Sequence, residues 1–323
     1  MRRLVPWVGA FLVAVLACGG AVVALNATVF GPGDFVRVYL DALARGDARS
    51  ALALPGVDAG AAGDQLLTDD ALTGLTAIHQ LADEPLGDDR HRITFGWSSP
   101  GGDGATAFEV ARIGSRLALF PEWGFSVSPT AVVALDVLRD PRFSANGVAT
   151  STGRDTAGPS GIAVLVPGSY VFAHDTAFLH APAVTVVADE AGSVIPATLD
   201  VEPAPDFARA LGEQVEQHLA ACATQQVLFP TACPFGESIR NRVVSEPKWS
   251  IEELPELEVA PGPFGSWIAG PAPGTAHLTV EVKSLFDGSL STFDQDVPFE
   301  ARYVVTVGTD ELVITDASDP EQG

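Results

Sequence analysis

Two histidines and an aspartate lie close together in the segment AHDTAFLHAP and are residue types that bind Zn²⁺. His174 and His180 are six residues apart, so on an extended strand they share one face, whereas Asp175 points to the other. Six residues of strand span about 20 Å. Joint ligation by the two histidines therefore requires the chain to turn between them, and the sequence favours no metal site here.

Carboxylates at Asp287, Asp294 and Asp296 form a second group, because carboxylate oxygens are the ligands that Ca²⁺ prefers. They lack the D-x-D-x-D-G-x5-E order of a helix–loop–helix calcium site. We interpret them as residues of a solvated loop around the Asp287-Gly288 turn. The sequence predicts no bound metal and no cofactor.

Catalytic signatures are absent from the sequence. It contains no G-x-S-x-G, no H-E-x-x-H, no S-x-x-K with its partner motifs and no phosphate-cradling glycine loop. The segment Gly158-Pro159-Ser160-Gly161 has the wrong spacing for a nucleophile elbow. No residue is therefore assigned a catalytic role from a motif.

Cys222 and Cys233 are the only two cysteines outside the apolar N-terminal segment. In an oxidising compartment they are expected to form a disulfide, worth about 3 kcal/mol by loop-closure entropy. A metal or redox pair is the alternative, but the ten-residue gap does not match C-x-x-C and only His218 lies nearby.

The compartment follows from the uncharged apolar run Leu4–Leu25, which comes directly after Arg2-Arg3. About 20 apolar residues in a helix cross the hydrocarbon core of a bilayer, and basic residues stay on the cytoplasmic side. The sequence predicts a cytoplasmic stub over residues 1–3 and a transmembrane helix over residues 4–27, with the rest of the chain outside the cytoplasm.

Two alternatives remain for this run. It could be a cleaved signal peptide with its cleavage site in Ala24–Ala27, or a lipoprotein signal with Cys18 as the lipid attachment site. A signal peptide needs a shorter apolar core, Leu16 fits a lipobox poorly, and the chain stays apolar after Cys18. Each alternative still places the bulk of the chain outside the cytoplasm.

The charge balance is strongly acidic, with 41 Asp and Glu against 18 Lys and Arg. This argues against nucleic acid and against anionic lipid headgroups as partners, because both require a basic surface. Lysine occurs only at Lys248 and Lys283, which we attribute to the codon usage of a GC-rich genome.

The first segment outside the predicted anchor combines a helix with strands. Asp34 is predicted as the N-cap of a helix, a second short helix follows Gly46-Asp47, and Pro55–Asp64 is predicted as a loop. From Arg90 the apolar period becomes two, which predicts a strand meander with a tight turn at Ile113–Arg116.

This order resembles the cone-shaped, helix-on-sheet fold of the nuclear-transport-factor-like superfamily. The matching residues are Phe35-Val36-x-x-Tyr39-Leu40-x-Ala42-Leu43-x-x-Gly46-Asp47 and the later hairpins, and we assign residues 34–127 to this domain. Enzymes of that superfamily carry an Asp, His or Tyr inside the cone, and many other members only bind. The resemblance implies that Tyr39, His79 and His91 could line a pocket, although a core tyrosine and two surface histidines are the simpler interpretation.

Residues 130–201 predict a small all-β domain, because short apolar strands alternate with Gly/Pro turns and TAVVALDVL suits a strand as well as a helix. The turn Pro167-Gly168-Ser169-Tyr170 between two strands resembles the small β domains of the TcaA family of single-pass envelope proteins. The resemblance implies that Tyr170 packs inside the domain.

Residues 206–316 predict a second helix-on-sheet domain. Asp206 is predicted to cap a helix that leads into the cysteine loop, and the strands HLTVEVKSLF and VPFEARYVVTV follow with clear two-residue alternation. Residues 317–323 are expected to form a flexible tail.

The sequence thus predicts a strand-rich α+β protein: an N-terminal transmembrane helix and two helix-on-antiparallel-sheet domains separated by a small all-β domain. It resembles single-pass envelope proteins of actinobacterial type. We expect a non-catalytic binding or structural protein whose partner is an envelope protein, a peptide or a wall component. The alternative is a hydrolase or isomerase that binds a small apolar substrate in a cone-shaped pocket.

Overall fold

The computed structural model describes residues 16–17, 30–117, 119–154, 156–309 and 311–318. The chain is a strand-rich α+β protein with mostly antiparallel sheets and few helices. The predicted transmembrane segment, apart from Leu16 and Ala17, lies outside the described residues, as does most of the predicted tail. Within the described ranges, no helix is both long and apolar enough to cross a bilayer.

The first sheet is a four-stranded antiparallel meander covered by helices. Its elements are α1 (Pro32–Ala44), α2 (Ala48–Leu52), β1 (Thr76–Gly87), β2 (Arg90–Ser99), β3 (Gly102–Arg116) and β4 (Phe120–Phe125), with a short 3₁₀ turn at Asp69–Ala71. The apolar face of α1 buries Val36, Tyr39, Leu40 and Leu43 against the sheet. The helical spacing of these residues in the sequence therefore predicted the packed face correctly.

Both long helices begin before the acidic residue predicted to cap them, two residues before Asp34 and one residue before Asp206. Pro32 opens α1 and Pro205 opens α3 (Pro205–Ala223), so Asp34 and Asp206 lie in the first turn. Proline is favoured at the first helical position, because its fixed φ is already helical and the N–H it lacks would be unpaired there. Asp34 still satisfies the helix start, because its Oδ2 accepts a hydrogen bond from the Gly31 N–H at 3.3 Å.

The predicted turn at Ile113–Arg116 is also wrong, since β3 continues to Arg116 and the chain reverses before Phe120. A register shift between Arg112 and Gly114 explains the difference. Glycine inside a strand often marks such a bulge rather than the end of the strand. The hairpin tip between β3 and β4 thus lies three residues further along the chain than predicted.

Two sheets follow in the middle of the chain and share one core. Their strands are β5 (Thr130–Leu138), β6 (Arg142–Ala145), β7 (Val148–Ser151), β8 (Ser160–Leu165), β9 (Gly168–Asp175), β10 (Leu179–Ala188), β11 (Val194–Asp200) and β12 (Glu202–Pro203). The three-stranded sheet has the order β11-β5-β8, with β11 parallel to β5, and the five-stranded sheet has the order β12-β10-β9-β6-β7. Tyr170 is buried between them, as the PGSY turn predicted.

The last sheet is built around a long antiparallel hairpin and is covered by α3. Its strands are β13 (Arg242–Val243), β14 (Lys248–Glu253), β15 (Val259–Pro261), β16 (Ser266–Lys283), β17 (Leu290–Val307) and β18 (Leu312–Asp316). β16 and β17 are 18 residues long each and pair from Ser266 with Thr306 to Lys283 with Leu290. Their predicted alternation is confirmed: even-numbered β16 residues from 276 to 282 are buried.

The predicted loop Pro55–Asp64 pairs with strand β8 instead of only connecting elements. Gly63 forms a parallel bridge with Ile162 of β8. The Gly63 N–H donates to the Gly161 carbonyl, and the Gly63 carbonyl accepts from the Ala163 N–H. Leu165 in turn belongs to the buried cluster of the first sheet. The first and middle parts of the chain are therefore joined by both hydrogen bonds and apolar packing.

Candidate functional site

The interior of the first sheet is filled by aromatic side chains. Tyr39, Phe95, Trp97, Phe108 and Phe125 are all at most 6 % exposed. The ring of Tyr39 meets those of Phe108 and Phe125 edge-on, with centroids 6.0 and 5.2 Å apart. This packing leaves no room for a substrate at the position where the cone-shaped resemblance places a pocket.

Tyr39 itself is a core residue whose hydroxyl bridges two segments. The hydroxyl lies 2.9 Å from the carbonyl oxygen of Pro129 and 2.8 Å from that of Val166. Its single proton can be donated to only one of them at a time. Burial raises the pKa of Tyr39 well above its ordinary value, so the side chain stays neutral and serves as a structural donor.

His79 and His91 lie on the surface of the first sheet, on β1 and β2. His79 Nδ1 is 2.8 Å from the carbonyl oxygen of Ala77, within its own strand. His91 Nδ1 is 2.7 Å from Asp83 Oδ1, and its imidazole packs edge-on against Trp123. Because Tyr39 is buried and both histidines are at the surface, the three predicted pocket residues do not form one site.

A small cleft opens between the end of α1 and the PGSY turn. Leu43, Thr73, Pro167, Ser169 and Tyr170 are among the residues that line it. Its cavity volume of about 10 Å³ holds no more than one water molecule. The cleft is therefore too small for a metabolite.

The chain does turn between His174 and His180, which lie on the neighbouring antiparallel strands β9 and β10. His174 is buried, and its Nδ1 lies 2.8 Å from the carbonyl oxygen of Arg142. His180 is on the neighbouring strand, opposite Asp175. In the part of the chain that the structure describes, no three His, Cys, Asp or Glu side chains converge in a way that could hold a metal ion.

The predicted disulfide between Cys222 and Cys233 is confirmed. It joins the last turn of α3 to the loop that precedes β13, and both half-cystines are buried. The adjoining Phe235 packs against Trp249 and Phe299. The bridge thus fixes the helix end to the aromatic core of the last sheet, which is a structural role.

The expectation of a solvated loop for Asp294 and Asp296 is wrong, because both lie on β17 and flank a histidine of β16. His277 Nε2 is 2.5 Å from Asp294 Oδ1, and its Nδ1 is 2.7 Å from Asp296 Oδ1. A carboxylate accepts but cannot donate, so both ring nitrogens must carry protons in this arrangement. Hydrogen bonds to Asp296 and Asp294 accordingly raise the pKa of His277.

Sequence reasoning did not identify His277, because its carboxylate partners depend on the register of the β16–β17 hairpin. Register fixes which residues face each other across a hairpin, and the pairing places His277 opposite Asp296. Asp287, by contrast, lies in the turn as predicted, where the Ser289 N–H and hydroxyl bond its carboxylate. These bonds lower the pKa of Asp287 to about 2.

An apolar tip closes the β16–β17 hairpin, and sequence reasoning missed it too. We use the name "last-sheet tip" for residues 284–290, in which Leu285, Phe286 and Leu290 are 74, 99 and 71 % exposed. Lys283 pairs with Leu290 at the base of the tip, and Arg242 of β13 pairs with Lys283. Exposed apolar groups of this size on a protruding turn are typical of contact sites.

Neither the protein-family models nor the curated proteins nor the solved structures contain a match to this chain.

Proposed function

We propose that the chain is a membrane-anchored, extracytoplasmic, non-catalytic binding or structural protein of the cell envelope. In this proposal Leu4–Leu25 is the single-pass anchor. Two helix-on-sheet domains, over residues 34–127 and 206–316, stand outside the cytoplasm with the small all-β domain 130–201 between them. We also propose that the helix-on-sheet domains are related to nuclear-transport-factor-like domains and that the chain is related to the TcaA family.

The last-sheet tip is the observation that carries the proposal. Leu285, Phe286 and Leu290 expose apolar surface that would gain about 1.5–3 kcal/mol per side chain on full burial. Folding within the chain leaves this surface in water, whereas an apolar cleft on a partner would cover it. A protein or peptide partner fits this chemistry better than a wall glycan.

The filled interior supports a binding role over the alternative enzymatic one. A hydrolase or isomerase for a small apolar substrate requires an enclosed pocket with convergent acid or base groups. In the described ranges the first sheet is filled by aromatic rings and the cleft beside Tyr170 holds one water at most. No described geometry favours this second function.

Photo-crosslinking tests the binding role. A crosslinking amino acid replaces Phe286 in the anchored chain, and a matched chain carries it at Val194, which is 66 % exposed on β11. We expect one discrete adduct from position 286, and its loss when Leu285→Ser is added. Equal adduct patterns at the two positions, or none at 286, would contradict the assignment of the tip as the contact.

The anchor is tested separately by fractionation and protease accessibility. We expect the full chain to remain in the membrane fraction after alkaline carbonate extraction and to be digested only from outside the cell. Release by carbonate would contradict a spanning helix. A mature chain that begins near Asn26, or one lipidated at Cys18, would favour the cleaved or lipidated alternative.

A further inference from the structure

The first residue described after the predicted anchor packs at the tip of the β3–β4 hairpin. The ring of Phe30 lies against that of Phe120, with centroids 4.6 Å apart. Trp123 Nε1 donates a hydrogen bond to the carbonyl oxygen of Phe30 at 2.9 Å. The chain therefore enters the first sheet beside this hairpin tip.

The same hairpin tip exposes large apolar side chains to solvent. Ile113, Leu117 and Leu119 are 60, 80 and 53 % exposed. Leu117 and Leu119 lie in the turn between β3 and β4, and Ile113 lies near the C-terminal end of β3. An exposed apolar patch next to the point where the chain enters is typical of a contact site.

Chain length limits how far this tip can lie from the predicted anchor. Four residues lie between Leu25 and Phe30, and the five extended Cα–Cα steps that join them span at most about 18 Å. The headgroup layer on each side of a bilayer is about 5–8 Å thick. The tip is therefore held on or close to the membrane surface whenever Leu4–Leu25 spans it.

The charges beside the tip are balanced, which favours an apolar contact over an electrostatic one. Arg116 Nε is 3.5 Å from Glu122 Oε1, and Arg112 Nη1 is 3.7 Å from Asp89 Oδ2. The formal net charge of the whole chain is −23. An anionic surface would repel it, so the neighbour that fits is a zwitterionic bilayer surface.

We propose that the β3–β4 hairpin tip rests in the lipid headgroup layer through Leu117 and Leu119, and so orients the first sheet on the membrane. Because the tip stands at the end of β3, the long axis of the strand points away from the bilayer. Amphipathic helices that lie in the membrane surface bury Leu, Phe and Trp side chains at the same depth. This inference rests on the proposed membrane anchoring.

Nitroxide depth measurement tests the proposal on the full chain in phosphatidylcholine vesicles. Cys18→Ser removes the one cysteine outside the disulfide, and single labels are placed by Leu117→Cys, Ile113→Cys or Asp103→Cys. Asp103 is exposed at the opposite end of β3, about 45 Å from the tip at 3.3 Å per residue. Unchanged thermal unfolding checks that each labelled chain is folded.

We expect the label at 117 to be several-fold less accessible to a water-soluble nickel relaxant than the label at 103, and more accessible to oxygen. The label at 113 should fall between them, because it lies further from the tip. Added phosphatidylglycerol should not increase the depth. Equal accessibility at 117 and 103, or insertion that depends on the anionic lipid, would overturn the proposal.

Two further outcomes separate the tip contact from the anchor. If the chain floats with the vesicles after carbonate washing but position 117 is in water, the tip contact fails and the anchor stands. A label at 117 that is shielded from both relaxants would mean that protein covers the tip, which also overturns lipid contact. If the chain does not float, both proposals fail.

Discussion

The three tyrosines of the chain allow one substitution to be compared at three buried sites that differ in the partner of the hydroxyl. Tyr39 lies within hydrogen-bonding distance of two carbonyl oxygens, Tyr170 donates to the carbonyl of Leu165 at 2.8 Å, and Tyr303 is buried. The hydroxyl of Tyr303 has no hydrogen-bond partner among the described residues. Replacing each tyrosine by phenylalanine removes one oxygen and keeps the ring.

The expected magnitudes follow from what each carbonyl loses. In Tyr39→Phe the Pro129 carbonyl retains a hydrogen bond from the Val166 N–H at 3.0 Å. The Val166 carbonyl is therefore the acceptor for which the loss of the hydroxyl matters. One lost bond of about 1 kcal/mol plus part of the cost of an unpaired buried acceptor gives about 2 kcal/mol. Tyr170→Phe should cost about 1–2 kcal/mol for its single bond.

Tyr303→Phe should be neutral or stabilising by up to about 1 kcal/mol, because it removes a buried polar group that is unpaired. Chemical denaturation of the three variants and the parent chain, followed by tryptophan fluorescence, gives the free energies of unfolding at matched slopes. If Tyr303→Phe destabilises the chain as much as Tyr39→Phe, ring packing rather than hydroxyl pairing controls these sites. That result would refute the reasoning.

Three other perturbations have expected outcomes of their own. Replacing both residues of the Cys222–Cys233 bridge by alanine should lower the free energy of unfolding by about 3 kcal/mol, measured by denaturation under non-reducing conditions; no loss would mean that the loop stays ordered when unlinked. The raised pKa of His277 means that its contribution to stability is complete below the ordinary pKa of 6.5 and disappears as the pH rises through the raised folded-state pKa. An NMR titration should show this raised pKa, and Asp296→Asn should move it towards 6.5; an unchanged value would exclude the carboxylate as its main cause. Gly56→Ala should destabilise by about 2 kcal/mol or more, because φ is +85° and a Cβ would lie 2.1 Å from a β4 carbonyl oxygen. Gly60→Ala, with φ +67° and open space around it, is the matched control and should cost clearly less in the same denaturation assay.

Local patterns in the sequence were sufficient for most elements of the fold. The two-residue alternation of β16 and β17 and the helical spacing on α1 identified their buried faces, because periodicity records which side of an element meets the core. The disulfide was predictable as well, since only two cysteines remain outside the apolar N-terminal segment. Helix starts were misplaced where a proline one or two residues upstream of the acid took the first helical position.

Contacts between residues distant in the chain could not be predicted in this way. Nothing near Tyr39 in the sequence indicates that its hydroxyl bonds backbone at Pro129 and Val166. The same holds for His277, whose carboxylate partners are fixed by the register of a hairpin of two 18-residue strands. A one-residue shift in that register would place the carboxylates on the other face.

The sequence by itself determined the strand-rich composition of the folded part, the buried faces of its longest strands and its single disulfide. Those properties depend on residue type and short-range spacing. Only the tertiary structure decided that the Tyr39 hydroxyl lies between the Pro129 and Val166 carbonyls, that His277 lies between Asp294 and Asp296, and that apolar side chains protrude at two hairpin tips. Whether an apolar side chain ends in a core or in solvent depends on which distant segment covers it, and chain spacing does not encode that.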